Sequence, residues 1–290
     1  MKDGGLRSYA LHDCRGKMLH FRNGAQGREA MGIFAALGDA VRSRRLAVAL
    51  VAVVLASGLR PAVAETAAGC DRVSKPPPLA TSRPLNLGRL KLELTYYRCT
   101  RYDSEVAKVL HDARVWIERR TAHVDNSDKL ALVLDIDETS LSNWKLIHQN
   151  DFGYIVQGGC DFSKGSACGQ IAWERSASAE AIKPTLDLFK AAKARHVAVF
   201  FVTGRHEDPD ERTATETNLR KAGYEGWQRL SMRTNDFDGP SVAPFKTWAR
   251  REIERQGYTI IANVGDQLSD LANGHAERRF KVPNPFYFIQ

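Results

Sequence analysis

LALVLDIDETSLSNW, residues 130–144, decides how the rest of the chain is read. Its first five residues, Leu130-Ala131-Leu132-Val133-Leu134, are apolar without a break, the pattern of a parallel strand buried on both faces. The run then opens into Asp135-Ile136-Asp137-Glu138-Thr139. Open α/β sheets bind ligands outside the carboxyl ends of their strands, where these carboxylates would lie. Asp135 and Asp137 are two apart and share one side of an extended backbone. Carboxylates so close repel unless a cation or a shared proton relieves them. A metal is the simplest relief.

Downstream, strand and helix patterns alternate. Pro184 sits near a helix start, with Leu186 and Phe189 facing inward. Residues 196–202 predict a second buried strand ending in Thr203-Gly204-Arg205, and Asp208-Pro209 opens a helix that Gly223 closes. Residues 230–232 predict a short strand. Pro244 begins a helix with Phe245, Trp248, Ala249 and Ile253 on one face, ended by Gly257. Residues 258–264 predict a strand running into Gly265-Asp266, and 280–282 a last one. Upstream, Val106, Val109, Leu110, Ala113, Trp116 and Ile117 make an apolar stripe at helical spacing, and 125–128 read as a turn. Single helices between strands imply an α/β fold with a doubly wound parallel sheet, preceded by an N-terminal helical segment. Residues 142–180, with their glycines, cysteines and aromatics, interrupt the alternation and predict a small insert covering the site.

The 290 residues are 43% apolar and 26% charged, an ordinary globular composition. A net charge of +8 would point to an anionic polymer as partner. However, residues 1–64 hold 10 Lys+Arg against 4 Asp+Glu, leaving 32 against 30 elsewhere. The excess belongs to the front of the chain, so no nucleic-acid polymer is inferred. That front reads as a signal-type leader. Arg42, Arg44 and Arg45 precede an apolar run of 14 residues, 46–59, and Ala62-Val63-Ala64 predicts cleavage after Ala64. The run falls short of the ~20 apolar residues that a bilayer span takes, so no stable membrane span is expected after cleavage. Met31 would make a more usual start, which leaves translation of residues 1–30 open. A twin-arginine signal at Arg44-Arg45 and lipoprotein acylation at Cys70 rank behind plain cleavage. Lys75-Pro76-Pro77-Pro78 and Arg83-Pro84 make 65–85 a Pro-rich tether.

A periplasmic or secreted protein is therefore expected. Cys70, Cys99, Cys160 and Cys168 would stay in the mature chain. A disulfide between Cys160 and Cys168 is preferred over zinc, since histidines at ligand spacing are lacking.

Four polar clusters fall at strand ends or a helix start: Asp135/Asp137, Thr203-Gly204-Arg205, Lys246 and Asp266/Asp270. In a parallel sheet they converge on one edge. Carboxylates, a hydroxyl and a lysine there suit a hard divalent cation, Mg²⁺, and a phosphate. The histidines lack ligand spacing and form no site. Trp144, Phe152, Tyr154 and Trp173 are expected in local core, with stacking on an aromatic leaving group kept open.

The ordered set D-x-D-x-T, T-G-R, Lys and G-D-x-x-x-D resembles the haloacid dehalogenase (HAD) superfamily of aspartate-based phosphohydrolases. The strings LDIDETSLSNW, FFVTGR, NVGDQLSDL and KVPNPFY resemble its branch of secreted class B and class C acid phosphatases and plant vegetative storage proteins, over residues 86–290. The resemblance implies Asp135 as nucleophile and Asp137 as acid, then base. It implies Thr203, Gly204 and Lys246 as phosphate-binding groups. It assigns the metal to the Asp135 side chain, the Asp137 carbonyl and Asp266, with Asp270 acting through a metal-bound water or by holding Lys246. Arg205 is the weakest carry-over, since it could serve only to bond the backbone or a nearby carboxylate.

The expectation is an exported, Mg²⁺-dependent acid phosphatase acting on small phosphomonoesters, nucleotides among the candidates. Self-association into a homo-oligomer is left open. Phosphotransfer on the same site and a weakly catalytic storage protein remain the alternatives.

Overall fold

A computed structural model of the protein describes residues 11–12, 18–19, 86–123 and 129–290. Within the unit Met1–Pro84, β1 (Leu11–His12) and β2 (Met18–Leu19) pair antiparallel. The leader's apolar run, the twin-arginine pair, the cleavage site after Ala64, Cys70, the 65–85 tether and the 125–128 turn lie outside the described residues.

The unit Leu85–Gln290 opens with α1 (Leu87–Tyr97), a π-helical turn over Arg98–Tyr102, and α2 (Asp103–Arg120). From the expected stripe, Val106, Leu110, Ala113 and Ile117 are buried, and Val109 and Trp116 lie half-buried beside them. There follow β3 (Leu130–Leu134), β4 (Leu141–Ser142), α3 (Trp144–Gln149), α4 (Gln170–Arg175) and β5 (Glu180–Ala181). The chain then alternates through α5 (Lys183–Lys193), β6 (Ala198–His206), α6 (Pro209–Lys221), β7 (Arg229–Arg233) and α7 (Ala243–Arg255). It ends with β8 (Thr259–Gly265), α8 (Leu268–Leu271) and β9 (Arg278–Lys281).

Five of these strands form one parallel sheet ordered β7-β6-β3-β8-β9. The chain builds outward from β3 in one direction, then crosses back to build in the other. The switch point therefore falls between β3 and β8, where such sheets bind ligands. Leu134 is level with Phe201 on one side and Val264 on the other, and the Asp135 N–H donates to the Val264 carbonyl at 3.0 Å.

The unbroken apolar run of β3 follows from this central position. Leu130, Leu132 and Leu134 join the larger core with α2 and α5. Ala131 and Val133 join Phe200, Val202 and the Phe245, Ala249 and Ile253 face of α7. A strand with helices on both faces has no room for alternation.

Caps follow the expected chemistry. The Asp208 side chain accepts from the N–H groups of Asp210 and Glu211, with Pro209 at the helix start, and Gly223 takes a φ of 95° after α6. Two expectations need correction. Thr203-Gly204-Arg205 lie inside β6 rather than beyond it, because pairing with β7 resumes at His206 and Arg233 after an irregularity. In α5 the deeply buried pair is Leu188 and Phe189, with Leu186 half-buried.

The 142–180 excursion leaves through β4 and returns through β5, which pair antiparallel with Leu141 opposite Ala181 and Ser142 opposite Glu180. Cys160 and Cys168 within it are disulfide-bonded. Among the described residues no helix is long and apolar enough to cross a membrane.

The β3–β8 ladder shifts register between Ala131 and Leu132, which face Ile260 and Ala262 and leave Ile261 as the extra residue of a bulge. The Trp116 indole N–H donates to the Ile261 carbonyl at 2.7 Å and so satisfies a group the ladder leaves out. Trp116→Phe keeps the ring packing but removes that donor. It is expected to lower unfolding free energy by about 1–2 kcal/mol in urea titrations. An unchanged midpoint would show that the bulge carbonyl finds another donor.

Candidate active site

The site builds outward from the ends of β3 and β8. Asp135 follows β3 directly, Asp266 follows β8, and Lys246 lies in the first turn of α7; all are buried. Lys246 Nζ donates to Asp135 Oδ1 and Asp270 Oδ1, each at 2.5 Å. One ligand oxygen each from Asp135, Asp266 and Asp270 lies within 4.8 Å of the others. Three buried carboxylates share a single lysine, an imbalance that an added cation would correct.

The titration behaviour reflects that imbalance. Burial pushes the Asp135 carboxyl well above the usual range, with Lys246 pulling down and Asp270, Asp266 and Asp137 adding to the push. Asp266 is pushed up to about 7, first by burial and then by Asp270. Burial works against charge on Lys246, but Asp135 and Asp270 outweigh it and raise its pKa. The donor set is all oxygen, which fits a hard divalent cation.

Each carboxylate is held by further contacts. Asp266 Oδ1 accepts from Thr139 Oγ1 at 3.0 Å, and Oδ2 accepts from Gln267 Nε2 and Asn284 Nδ2, each at 2.7 Å. Asp270 Oδ2 accepts from the Gln267 N–H at 2.7 Å, closing a capping box on α8. Gly265 makes this possible, since a Cβ there would sit 2.3 Å from Asp270 Cβ. Behind Asp270, the fully buried Arg250 guanidinium donates to the carbonyls of Asp270, Ala272 and Gly274.

Asp137 does not join the carboxylate cluster through its side chain. Arg205 grips it with Nη2 at 2.7 Å from Oδ1 and Nε at 3.1 Å from Oδ2. Asn143 Nδ2 adds a bond to Oδ1 at 2.8 Å. Burial would raise the Asp137 pKa, but Arg205 and Asn143 bring it below the usual carboxylate range. Of the two uses open to Arg205, the carboxylate is the one found. Thr203 is fully buried two residues beyond Phe201 in β6, and its Oγ1 accepts from the Arg205 N–H at 3.2 Å.

Glu138, Asn143, Glu174, Arg250, Asn284 and Tyr287 escaped the sequence reading. Glu138 is buried with a φ of 53°, and its carboxylate accepts from the Asn143 main chain at 2.5 Å and from Tyr287 OH at 2.7 Å. Burial pushes it up to about 7. Glu174 of α4 is likewise pushed up to about 7 by burial, with Arg205 pulling down and Asp137 pushing up. Asn284 and Tyr287 belong to the KVPNPFY tail, whose string was itself the available signal. Of the four aromatics, Trp173 is core, Trp144 and Phe152 pack against it, and Tyr154 is 75% exposed.

The chain resembles known proteins to different degrees. The chain is 36% identical over 165 residues to the stem 28 kDa glycoprotein of Glycine max, covering 56% of this chain and 61% of that protein. It is 31% identical over 189 residues to acid phosphatase 1 of Solanum lycopersicum, covering 65% and 69% respectively. The class C acid phosphatase of Bacillus anthracis has a similar fold, with a TM-score of 0.54 at 19% identity, covering 70% of this chain and 87% of that one. The family model described as HAD superfamily, subfamily IIIB (acid phosphatase), matches residues 89–290. The chain belongs to that subfamily.

Proposed function

We propose that the protein is an exported, Mg²⁺-dependent phosphomonoesterase that works through an aspartyl-phosphate on Asp135. The observation that carries this reading is the buried Lys246 bridge between Asp135 and Asp270, with Asp266 alongside, at the switch point of the sheet. Asp135, Asp266 and the Asp137 carbonyl would hold Mg²⁺, with Asp270 bracing Lys246 and available through a metal-bound water. When bound, the metal supplies charge that lets a phosphate dianion approach a carboxylate.

The chain's own groups do the rest. Lys246 offsets charge on both the phosphoryl group and Asp135, and the Thr203 hydroxyl and the backbone near Gly204 bind phosphoryl oxygens. A carboxylate oxygen of Asp135 bonds to phosphorus as the bond to the leaving oxygen breaks. The charge of a bound phosphate raises the Asp137 pKa against the pull of Arg205 and Asn143, so that Asp137 can give that oxygen a proton and let it depart as an alcohol. Asp137, now a carboxylate held by Arg205 and Asn143, takes a proton from the water that attacks phosphorus. Phosphate leaves and Asp135 is restored.

The substrate is a small phosphomonoester, with nucleotides among the candidates, under a lid formed by residues 142–180. Export is supported by the leader reading and by the disulfide in that lid. Phosphotransfer would use the same groups with an alcohol as acceptor. A weakly catalytic storage protein, the reading raised by resemblance to vegetative storage proteins, has no need of a lysine bridged to two buried aspartates.

Asp135→Asn is expected to reduce turnover of p-nitrophenyl phosphate at least about a thousandfold. Thorough chelation should abolish wild-type activity, and added Mg²⁺ should restore it. Full activity of the variant would refute the nucleophile, and activity surviving chelation would refute the metal. Gly265→Ala should drive Asp270 away from Lys246 and raise the Mg²⁺ concentration for half-maximal activity by about 10- to 100-fold. An unchanged Mg²⁺ titration would mean that Asp270 contributes nothing to the metal site.

A further inference from the structure

Asn143, at the start of the insert, stands between Asp137 and Trp173. Its Nδ2 donates to Asp137 Oδ1 at 2.8 Å and to Glu138 Oε2 at 3.2 Å, while its Oδ1 accepts from the Trp173 indole N–H at 2.7 Å. The two ends of a side-chain amide have nearly the same shape, so its partners decide which way it points. An indole N–H can only donate. It therefore claims Oδ1 and turns the NH₂ group toward the carboxylates.

Trp173 cannot readily release that grip. It lies in α4, is 2% exposed, and meets the Phe162 ring edge-on with centroids 5.4 Å apart. Asn143 is itself only 3% exposed, and its main-chain N–H is tied to Glu138 Oε1. Arg205 reaches the same Asp137 carboxylate from β6, with Nε and Nη2. Two donor groups from separate elements thus fix the plane of one carboxyl group, and one of them is aimed by the insert.

We propose that Asn143 is a positioning residue for Asp137, aimed by Trp173, so that the insert sets the geometry of proton transfer to the leaving group. This inference rests on the phosphatase reading and on Asp137 as the leaving-group acid. Proton transfer needs the acid within hydrogen-bond reach of the departing oxygen, and a positioned acid contributes about 10²–10⁴ in rate. A free amide would present its carbonyl oxygen to Asp137 part of the time, where it would accept the acid's proton and turn it away from the leaving oxygen.

The test uses two substrates that differ in their need for the proton. p-Nitrophenolate departs without one, whereas the alkoxide of glycerol phosphate requires it. Asn143→Ala and Trp173→Phe are compared with wild type on both substrates at saturating Mg²⁺, with thermal unfolding followed in parallel. Trp173→Phe keeps an aromatic ring and loses the N–H, so it decides the matter alone if Asn143→Ala does not fold.

The expected result is a loss at least about tenfold larger on glycerol phosphate than on p-nitrophenyl phosphate, carried by kcat rather than KM, and smaller for Trp173→Phe. Equal losses on both substrates, or none, in folded variants would overturn the proposal. Wild type inactive on both phosphates would bring down the phosphatase reading and this inference together. An active wild type with an inactive Asp135→Asn keeps that reading standing whatever the Asn143 and Trp173 variants do.

Discussion

The salt bridge from Lys246 to Asp135 and Asp270 is the interaction on which the rest of the site depends. All three groups are buried, and charges taken out of water are tolerated only when paired and hydrogen-bonded. Lys246 meets that condition for two carboxylates at once, but Asp266 remains as further negative charge in the same volume. The pocket is thus made stable enough to fold and still short of positive charge. A cation placed there would correct that shortfall and, with Lys246, favour a phosphate.

The bridge is braced from the end of β8, from α7, from the 270–274 turn and from the tail. Gly265 lets Asp270 pack directly over the end of β8, and Arg250 collects the carbonyls of the 270–274 turn behind it. The tail returns across the same edge. The Val282 N–H donates to the Gly265 carbonyl, Asn284 holds Asp266, and the Ile289 N–H reaches Gln267 Oε1. Metal-ligating carboxylates are oriented by such outer contacts as much as by the ion.

What was legible in the sequence was set by local pattern and chain order. Residues 130–134 had to be a central strand because they are apolar at every position, and β3 is flanked on both sides in the sheet. Asp266 and Lys246 were legible because a parallel sheet carries its strand ends to one edge. Arg205 was ambiguous for a physical reason: its partner Asp137 is 68 residues away, and nothing local distinguishes a backbone clamp from an ion pair. Asn284 reaches Asp266 over 18 residues, Tyr287 meets Glu138 over 149, and Asn143 takes the Trp173 indole N–H over 30. Such pairings leave no periodicity to read, and the extension of β6 through Arg205 depends on a ladder with β7 that only the folded sheet supplies.

Glu138 shows how the two carboxylates acquire different surroundings although they are only two residues apart. A strand continuing past Asp135 would keep both on one side, but the chain turns at Ile136. The Ile136 carbonyl accepts the N–H groups of Thr139, Ser140 and Leu141. To close that turn Glu138 takes a left-handed backbone, which costs a non-glycine residue about 1–2 kcal/mol. Hydrogen bonds from Asn143 and Tyr287 to its carboxylate offset the strain. The turn leaves Asp135 deep beside Lys246, while Asp137 keeps a 24% exposed side chain facing Arg205. One group is thereby buried among charged neighbours and the other left at the edge of solvent. The difference between their surroundings follows from a strained turn, held by one residue at the edge of the insert and one in the tail.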